Sequence, residues 1–167
     1  MKKRGFVKIT YDQFKKDVSK FNNNKDLFDN IKLPERKTIE SAGYDFYSLL
    51  DFILKPGEII KIPTAIKAYM GKDEYLTIII RSSIGFKYNI RLTNQVGVID
   101  SDYFNNEDNE GHIWISLQNE GKDNWTVNKG DRIVQGIFQK YLISEEEDSV
   151  SNKRKGGFGS TNIEEDR

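Results

Sequence analysis

From Leu33-Pro34 onward the chain is a succession of short apolar runs, each closed by turn-forming residues, and no later stretch repeats at helical spacing. That pattern restricts the fold more than any other feature. Phe52-Ile53-Leu54 meets the turn Lys55-Pro56-Gly57-Glu58, after which Ile60, Ile62, Thr64, Ile66 and Ala68 alternate with polar partners as one half-buried strand. Gly71-Lys72-Asp73 turns the chain again. Tyr75 to Ile80 is almost wholly apolar, the composition of a strand covered on both faces, and it delivers Arg81 at its end. Ile113, Ile115 and Leu117 alternate, as do Trp125 and Val127, and Ile133 to Phe138 closes the series. Many short strands with turns between them predict an all-β sandwich or barrel.

The N-terminal part reads differently. Residues 5–11 alternate as an edge strand, Asp12 is placed to cap a short helix, and Phe14, Val18 and Phe21 follow at helical spacing until Asn22-Asn23-Asn24. Residues 11–32 thus form an insertion that packs one face on the body. Residues 1–143 are expected to be one β domain, the ordinary size for a chain of 167 residues. Residues 144–167 are expected to be a flexible C-terminal arm. It begins with the acidic run Ser144-Glu145-Glu146-Glu147-Asp148-Ser149, and residues 144–155 span about 40 Å if extended at ~3.3 Å per residue, enough to reach a neighbouring subunit.

Charge and cysteine usage narrow the function. Lys+Arg and Asp+Glu both number 26, so no global positive field exists to hold nucleic acid. The absence of cysteine excludes disulfides, thiolate metal sites and cysteine nucleophiles. The basic start Met1-Lys2-Lys3-Arg4 leads into no long apolar core, and no stretch has membrane-spanning length, so the expected setting is the cytoplasm.

Chemistry concentrates in Gly97-Val98-Ile99-Asp100-Ser101-Asp102-Tyr103. Val98 and Ile99 read as strand, Gly97 lets a ligand approach the backbone, and Asp100 sits where the strand ends. A carboxylate there is placed to take a proton from an attacking water, while Tyr103 adds a flat apolar face with a polar tip. Taken alone, the segment is equally an ordinary strand ending in an Asp-rich turn. Arg81-Ser82-Ser83 offers a guanidinium and two hydroxyls at another strand end, the donors that adjacent phosphates need. Gly156-Gly157-Phe158-Gly159-Ser160-Thr161 joins backbone freedom to two hydroxyls and an aromatic ring with no core to join, which suits closure over a ligand.

With Ala42-Gly43-Tyr44-Asp45 upstream and Gly130-Asp131-Arg132-Ile133-Val134-Gln135 between, these segments make five ordered motifs from residue 42 to 162. In that order and spacing they resemble the trimeric dUTPase family. The resemblance implies a distorted jelly roll, or β-clip, and a homotrimer that hydrolyses dUTP to dUMP and pyrophosphate with Mg²⁺ as cofactor. It implies that Asp100 is the general base for water attack on the α-phosphorus. Arg81, Ser82 and Ser83, with Gly85 beside them, hold the phosphate chain. A tight hairpin reads uracil through Asn94 and the backbone of Gly97 and Ile99, and Tyr103 lies against the deoxyribose, leaving no room for a 2′-hydroxyl. Gln135 contacts phosphate or the attacking water, Asp45 accepts from magnesium-bound waters, and Asp131 and Arg132 form a structural pair. Phe158, followed by Gly159, stacks on uracil; Ser160 and Thr161 bond the terminal phosphate; and Arg154, in preference to Lys153, neutralises the outer phosphates. Sites lie between subunits, with the Asp100 hairpin, the Arg81 loop and the C-terminal arm contributed by different chains.

The chain departs from the family after Tyr103, where Phe104-Asn105-Asn106-Glu107-Asp108-Asn109-Glu110-Gly111 stands in place of a short Arg-Gly. This loop reads as a solvated bulge, and together with residues 11–32 it is where a protein partner would bind. His112, the sole histidine, lies in the polar stretch and is assigned no catalytic role. No carboxylate cluster forms a dedicated cage, so magnesium is expected on substrate oxygens and water. Two other functions stay open: a regulatory nucleotide-sensing protein of the same fold, and an enzyme like dCTP deaminase, which would read cytosine and release ammonia.

Overall fold

Turn residues cut the described chain, residues 3–21 and 25–146 of this computed structural model, into short strands whose ladders are all antiparallel. In chain order the elements are β1 (Gly5–Lys8), α1 (Tyr11–Val18), α2 (Lys25–Asp29), β2 (Tyr44–Tyr47), β3 (Phe52–Leu54), β4 (Ile59–Pro63), β5 (Ile66–Tyr69) and β6 (Glu74–Ile80). They continue with α3 (Ser82–Tyr88), β7 (Ile90–Leu92), β8 (Gly97–Asp100), a 3₁₀ turn at Ser101–Tyr103, β9 (Trp114–Asn119), β10 (Trp125–Val127) and β11 (Arg132–Lys140). The largest sheet runs β2-β11-β6-β8 and a second runs β4-β9-β7, with β1-β5 and β10-β3 as two-stranded ribbons. Phe46, Leu76, Ile78 and Val134 of the first sheet share one core with Ile62, Ile115 and Leu117 of the second. Among the described residues no helix is long and apolar enough to cross a membrane.

The insertion is anchored as its spacing predicts, with Phe14 and Val18 fully buried, whereas Phe21 lies beyond the helix and is exposed. Its cap differs from expectation. Thr10, not Asp12, is the N-cap, its hydroxyl accepting from the Gln13 amide, and the preceding strand stops at Lys8.

Three further departures have physical causes. The alternation from Ile60 to Ala68 is two strands rather than one, because Ala65 adopts φ 58° and its amide donates to the His112 ring instead of to a ladder. β6 is buried on one face and half-buried on the other rather than covered on both. A helix, α3, follows Arg81 where none was expected. Only Ile84 of its side chains is buried, so no apolar stripe announces it, and it ends at Asn89 in the left-handed region.

Candidate active site

β8 brings one group of the expected residues to a single cavity of about 460 Å³, a size suited to a nucleoside. Asn94, Gly97, Ile99, Asp100 and Tyr103 all line it. So do Lys61 and Trp114, which sequence reasoning missed because each is simply the alternate residue of a half-buried strand, β4 and β9 respectively. Lys61 stands over the Trp114 ring, Nζ 5.4 Å from its centroid.

The expected hairpin is a crossover between sheets. β7 pairs with β9 and β8 pairs with β6, and the chain turns between them through Gln95 at φ 62°. Among the described residues β8 is therefore the outer strand of its sheet, with the amides and carbonyls of its far edge facing away from β6. Gly97 is explained by packing: a Cβ there would lie 3.1 Å from Ile78 Cβ, on the strand it pairs with. Asp100 closes β8 in register with Tyr75 and begins the 3₁₀ turn that carries Tyr103. Tyr103 is buried, its hydroxyl donating to the His112 carbonyl at 3.1 Å and accepting from Asn109 Nδ2 at 2.8 Å.

A second group gathers where β6, β2 and β11 meet, outside the cavity lining. Asp45 is buried, with Oδ1 2.9 Å from Arg81 Nε and Oδ2 3.0 Å from Arg132 Nη1. Arg81 Nη1 also donates to the Arg132 carbonyl at 3.2 Å. The expected Asp131–Arg132 pair is thus replaced: Arg132 reaches back to Asp45, and Asp131 instead accepts from the Asn128 amide at 2.8 Å. Gln135 lies directly opposite Asp45 in the β11–β2 ladder, and its side chain fills the space beside Gly43, where a Cβ would collide with it. Ser82 and Ser83 open α3 as exposed residues, and Gly85 sits within the same helix. Arg154, Phe158, Gly159, Ser160 and Thr161 lie outside the described residues.

The 104–111 loop is only partly solvated: Asn105, Glu107 and Asp108 are exposed, while Asn106, Asn109 and Gly111 turn inward. Asn106 and Asn109 are buried and bonded to each other and to Tyr103, and Glu110 pairs with Lys67 at 2.9 Å and with the Thr10 amide at 3.0 Å. Burial alone would raise the Glu110 carboxyl, but the hydrogen bonds from Thr10 and Lys67 hold it below the usual range. His112 is fully buried beside this loop. Its Nε2 accepts from the Ala65 amide at 2.8 Å, so Nδ1 carries the proton and donates to Asp17 at 2.6 Å. Burial pushes Asp17 up, yet the bonds from His112 and Gln13 bring it below the ordinary value. Polar bonds therefore join the loop region to α1, that of Glu110 to Thr10 at the surface and that of His112 to Asp17 partly buried.

The sequence matches the dUTPase family model over residues 29–162. The chain belongs to the dUTPase family. The deoxyuridine 5′-triphosphate nucleotidohydrolase of Lactococcus lactis is 45% identical over 132 residues, 78% of this chain and 88% of that protein. That of Coxiella burnetii is 38% identical over 145 residues, 83% of this chain and 91% of its own. The crystal structure of dUTPase from Streptococcus mutans aligns with a TM-score of 0.66 at 36% identity, covering 84% of this chain and 98% of that one. The dUTPase from phage phi11 of S. aureus, with a TM-score of 0.60 at 20% identity, covers 74% of this chain and 91% of its own and shares the fold. A mutant form of that phage enzyme is described as coordinating a structural Mg(II) ion. The dUTPase match begins at residue 29, so β1, α1 and the Asp17 partner of His112 lie outside it.

Proposed function

We propose that the chain hydrolyses dUTP to dUMP and pyrophosphate in the cytoplasm, with each site completed between copies of a homotrimer. One observation carries this reading: among the described residues, the nucleoside-sized cavity and the phosphate-binding candidates Arg81, Ser82 and Ser83 are separate in a single chain. Among the described residues the cavity lining holds Asp100, Tyr103 and Asn94 but only one cation, Lys61, too few for a triphosphate of about four negative charges. Arg81, Ser82 and Ser83 lie elsewhere, so another copy supplies them to the cavity. Apolar groups that such an assembly would cover flank both sets: Phe86 is 93% exposed in α3 and Val98 57% exposed in β8.

In this reading the edge of β8 away from β6 pairs the imide edge of uracil through the backbone of Gly97 and Ile99, with Asn94 beside it. Cytosine reverses the donor pattern and leaves site groups unpaired at about 1–3 kcal/mol each. Tyr103 lies against the deoxyribose. Asp100 takes the proton of a water whose oxygen bonds to the α-phosphorus as the bond to the bridging oxygen breaks, releasing pyrophosphate. Arg81, the two serines and Gln135 hold the phosphates in line. Phe158, Gly159, Ser160, Thr161 and Arg154 complete the site over the base and outer phosphates.

The described residues hold no group of three acidic, histidine or cysteine side chains that suits a metal ion. Asp45 would accept from magnesium-bound waters, since each of its oxygens keeps a lone pair beyond its arginine bond. Magnesium held there would supply charge stabilisation for the phosphates. Pyrophosphate release measured over dUTP, dCTP, dTTP and UTP, with and without Mg²⁺, tests the reading. Turnover confined to dUTP with Mg²⁺ is expected; ammonia release from dCTP would contradict it.

A further inference from the structure

Two asparagines fix the direction of the hydrogen bonds that Asn109 and the His112 carbonyl make with the Tyr103 hydroxyl. The amides of Asp108 and Asn109 both donate to Asn106 Oδ1, at 3.0 and 3.1 Å, so Asn106 Nδ2 must face the other way, toward the Tyr103 carbonyl and Asn109 Oδ1. The Gly111 amide, a donor only, also points at Asn109 Oδ1, at 3.1 Å. Asn109 Nδ2 is thereby turned onto the Tyr103 oxygen, and the tyrosine proton goes to the His112 carbonyl. The hydroxyl has no proton left to offer a ligand. Nor does the loop yield easily. Gly111 has φ 83°, and a Cβ there would lie 2.5 Å from the Tyr103 carbonyl oxygen. Beyond it His112 is fully buried.

We propose that Asn109 is a positioning residue for sugar selection, holding the Tyr103 hydroxyl in one polarity so that the ring stands as a fixed wall with no donor for a ribose 2′-hydroxyl. This rests on the reading that Tyr103 lies against the deoxyribose. A ring pinned at its hydroxyl by two bonds cannot tilt aside to admit the extra oxygen, and a 2′-hydroxyl pressed against it loses water without gaining a hydrogen bond from the tyrosine. The loop after Tyr103 thus acts on specificity from behind the residue that meets the substrate.

The test is the ratio of kcat/KM for dUTP to that for UTP in the full chain. Asn109→Ala removes the donor. Asn109→Asp keeps the size and the acceptor for Gly111, so the loop keeps its shape, but it makes Tyr103 donate in the opposite direction. Both are expected to lower the ratio about tenfold, mainly by raising kcat/KM for UTP, with kcat for dUTP changing less than about threefold. In a Tyr103→Phe background, Asn109→Ala should change the ratio less than about twofold, because the group it positions is already gone. An unchanged ratio in both Asn109 variants, or an Asn109→Ala effect that persists in full without the hydroxyl, would overturn the proposal. Tyr103→Ala separates the two layers. Unchanged discrimination there removes the sugar-contact reading and the proposal with it; lost discrimination there, with intact discrimination in both Asn109 variants, removes the proposal alone.

Discussion

Asp45 Oδ1 lies 2.9 Å from Nε of Arg81, tying the end of β6 to β2 at the point where phosphate would arrive. The other oxygen holds Arg132, so a single buried carboxylate separates two guanidinium groups. Asp45→Ala leaves those cations adjacent with no anion between them. Unfolding in urea should show a loss of about 1–3 kcal/mol, and KM for dUTP should rise about tenfold as Arg81 loses its orientation. Unchanged stability and KM would show that Arg81 is held without Asp45.

The link between α1 and His112 is a stability element. Asp17→Ala strands the Nδ1–H of a fully buried ring and is expected to cost about 1–3 kcal/mol. Asp17→Asn, which keeps an acceptor, should cost less. Equal stability of both variants with the parent, by urea denaturation, would remove the assigned hydrogen bond from the account.

Acid should unfold the chain partly through Glu74. Hydrogen bonds from Arg4, with Nε 2.9 Å from Oε2, and from the Gly71 amide hold this carboxyl at about 2, against 4.5 ordinarily. A carboxyl depressed on folding contributes stability that is whole above its unfolded value and disappears as pH falls through the folded one. The loss therefore runs from about pH 4.5 down to about pH 2. Arg4→Ala should flatten the slope of stability against pH in that window; an identical slope would contradict the assignment.

The proposed role of the C-terminal residues is tested by truncation after Asn152. Turnover of dUTP should fall on the order of 10²-fold with the loss of Arg154, Phe158, Ser160 and Thr161, while sedimentation shows the same assembly as the full chain. A full rate in the truncated chain would remove those residues from the site.

Strands were legible because alternation is local: the runs around Ile115, Val127 and Ile133 fall in β9, β10 and β11. Gly97, Asp100 and Tyr103, marked out by one motif, and Asn94 of the segment just before it line one cavity because they are close along the chain. What escaped the sequence depends on contacts distant along the chain. The break at Ala65 is made by His112, the partner of Arg132 is Asp45, and the polar 104–111 loop turns partly inward because Asn106 and Asn109 bond Tyr103 and Glu110 finds Lys67 and Thr10. α3 escaped because one buried isoleucine makes no periodic pattern. Lys61 and Trp114 escaped because a cavity wall has no signature along a single strand.

The most direct test of the catalytic account is steady-state pyrophosphate release by Asp100→Asn. Removing the base while keeping its shape should leave KM for dUTP within about tenfold of the parent and lower kcat by a factor on the order of 10² or more. Near-parental turnover in that variant would contradict the assignment of Asp100 as the group that activates water.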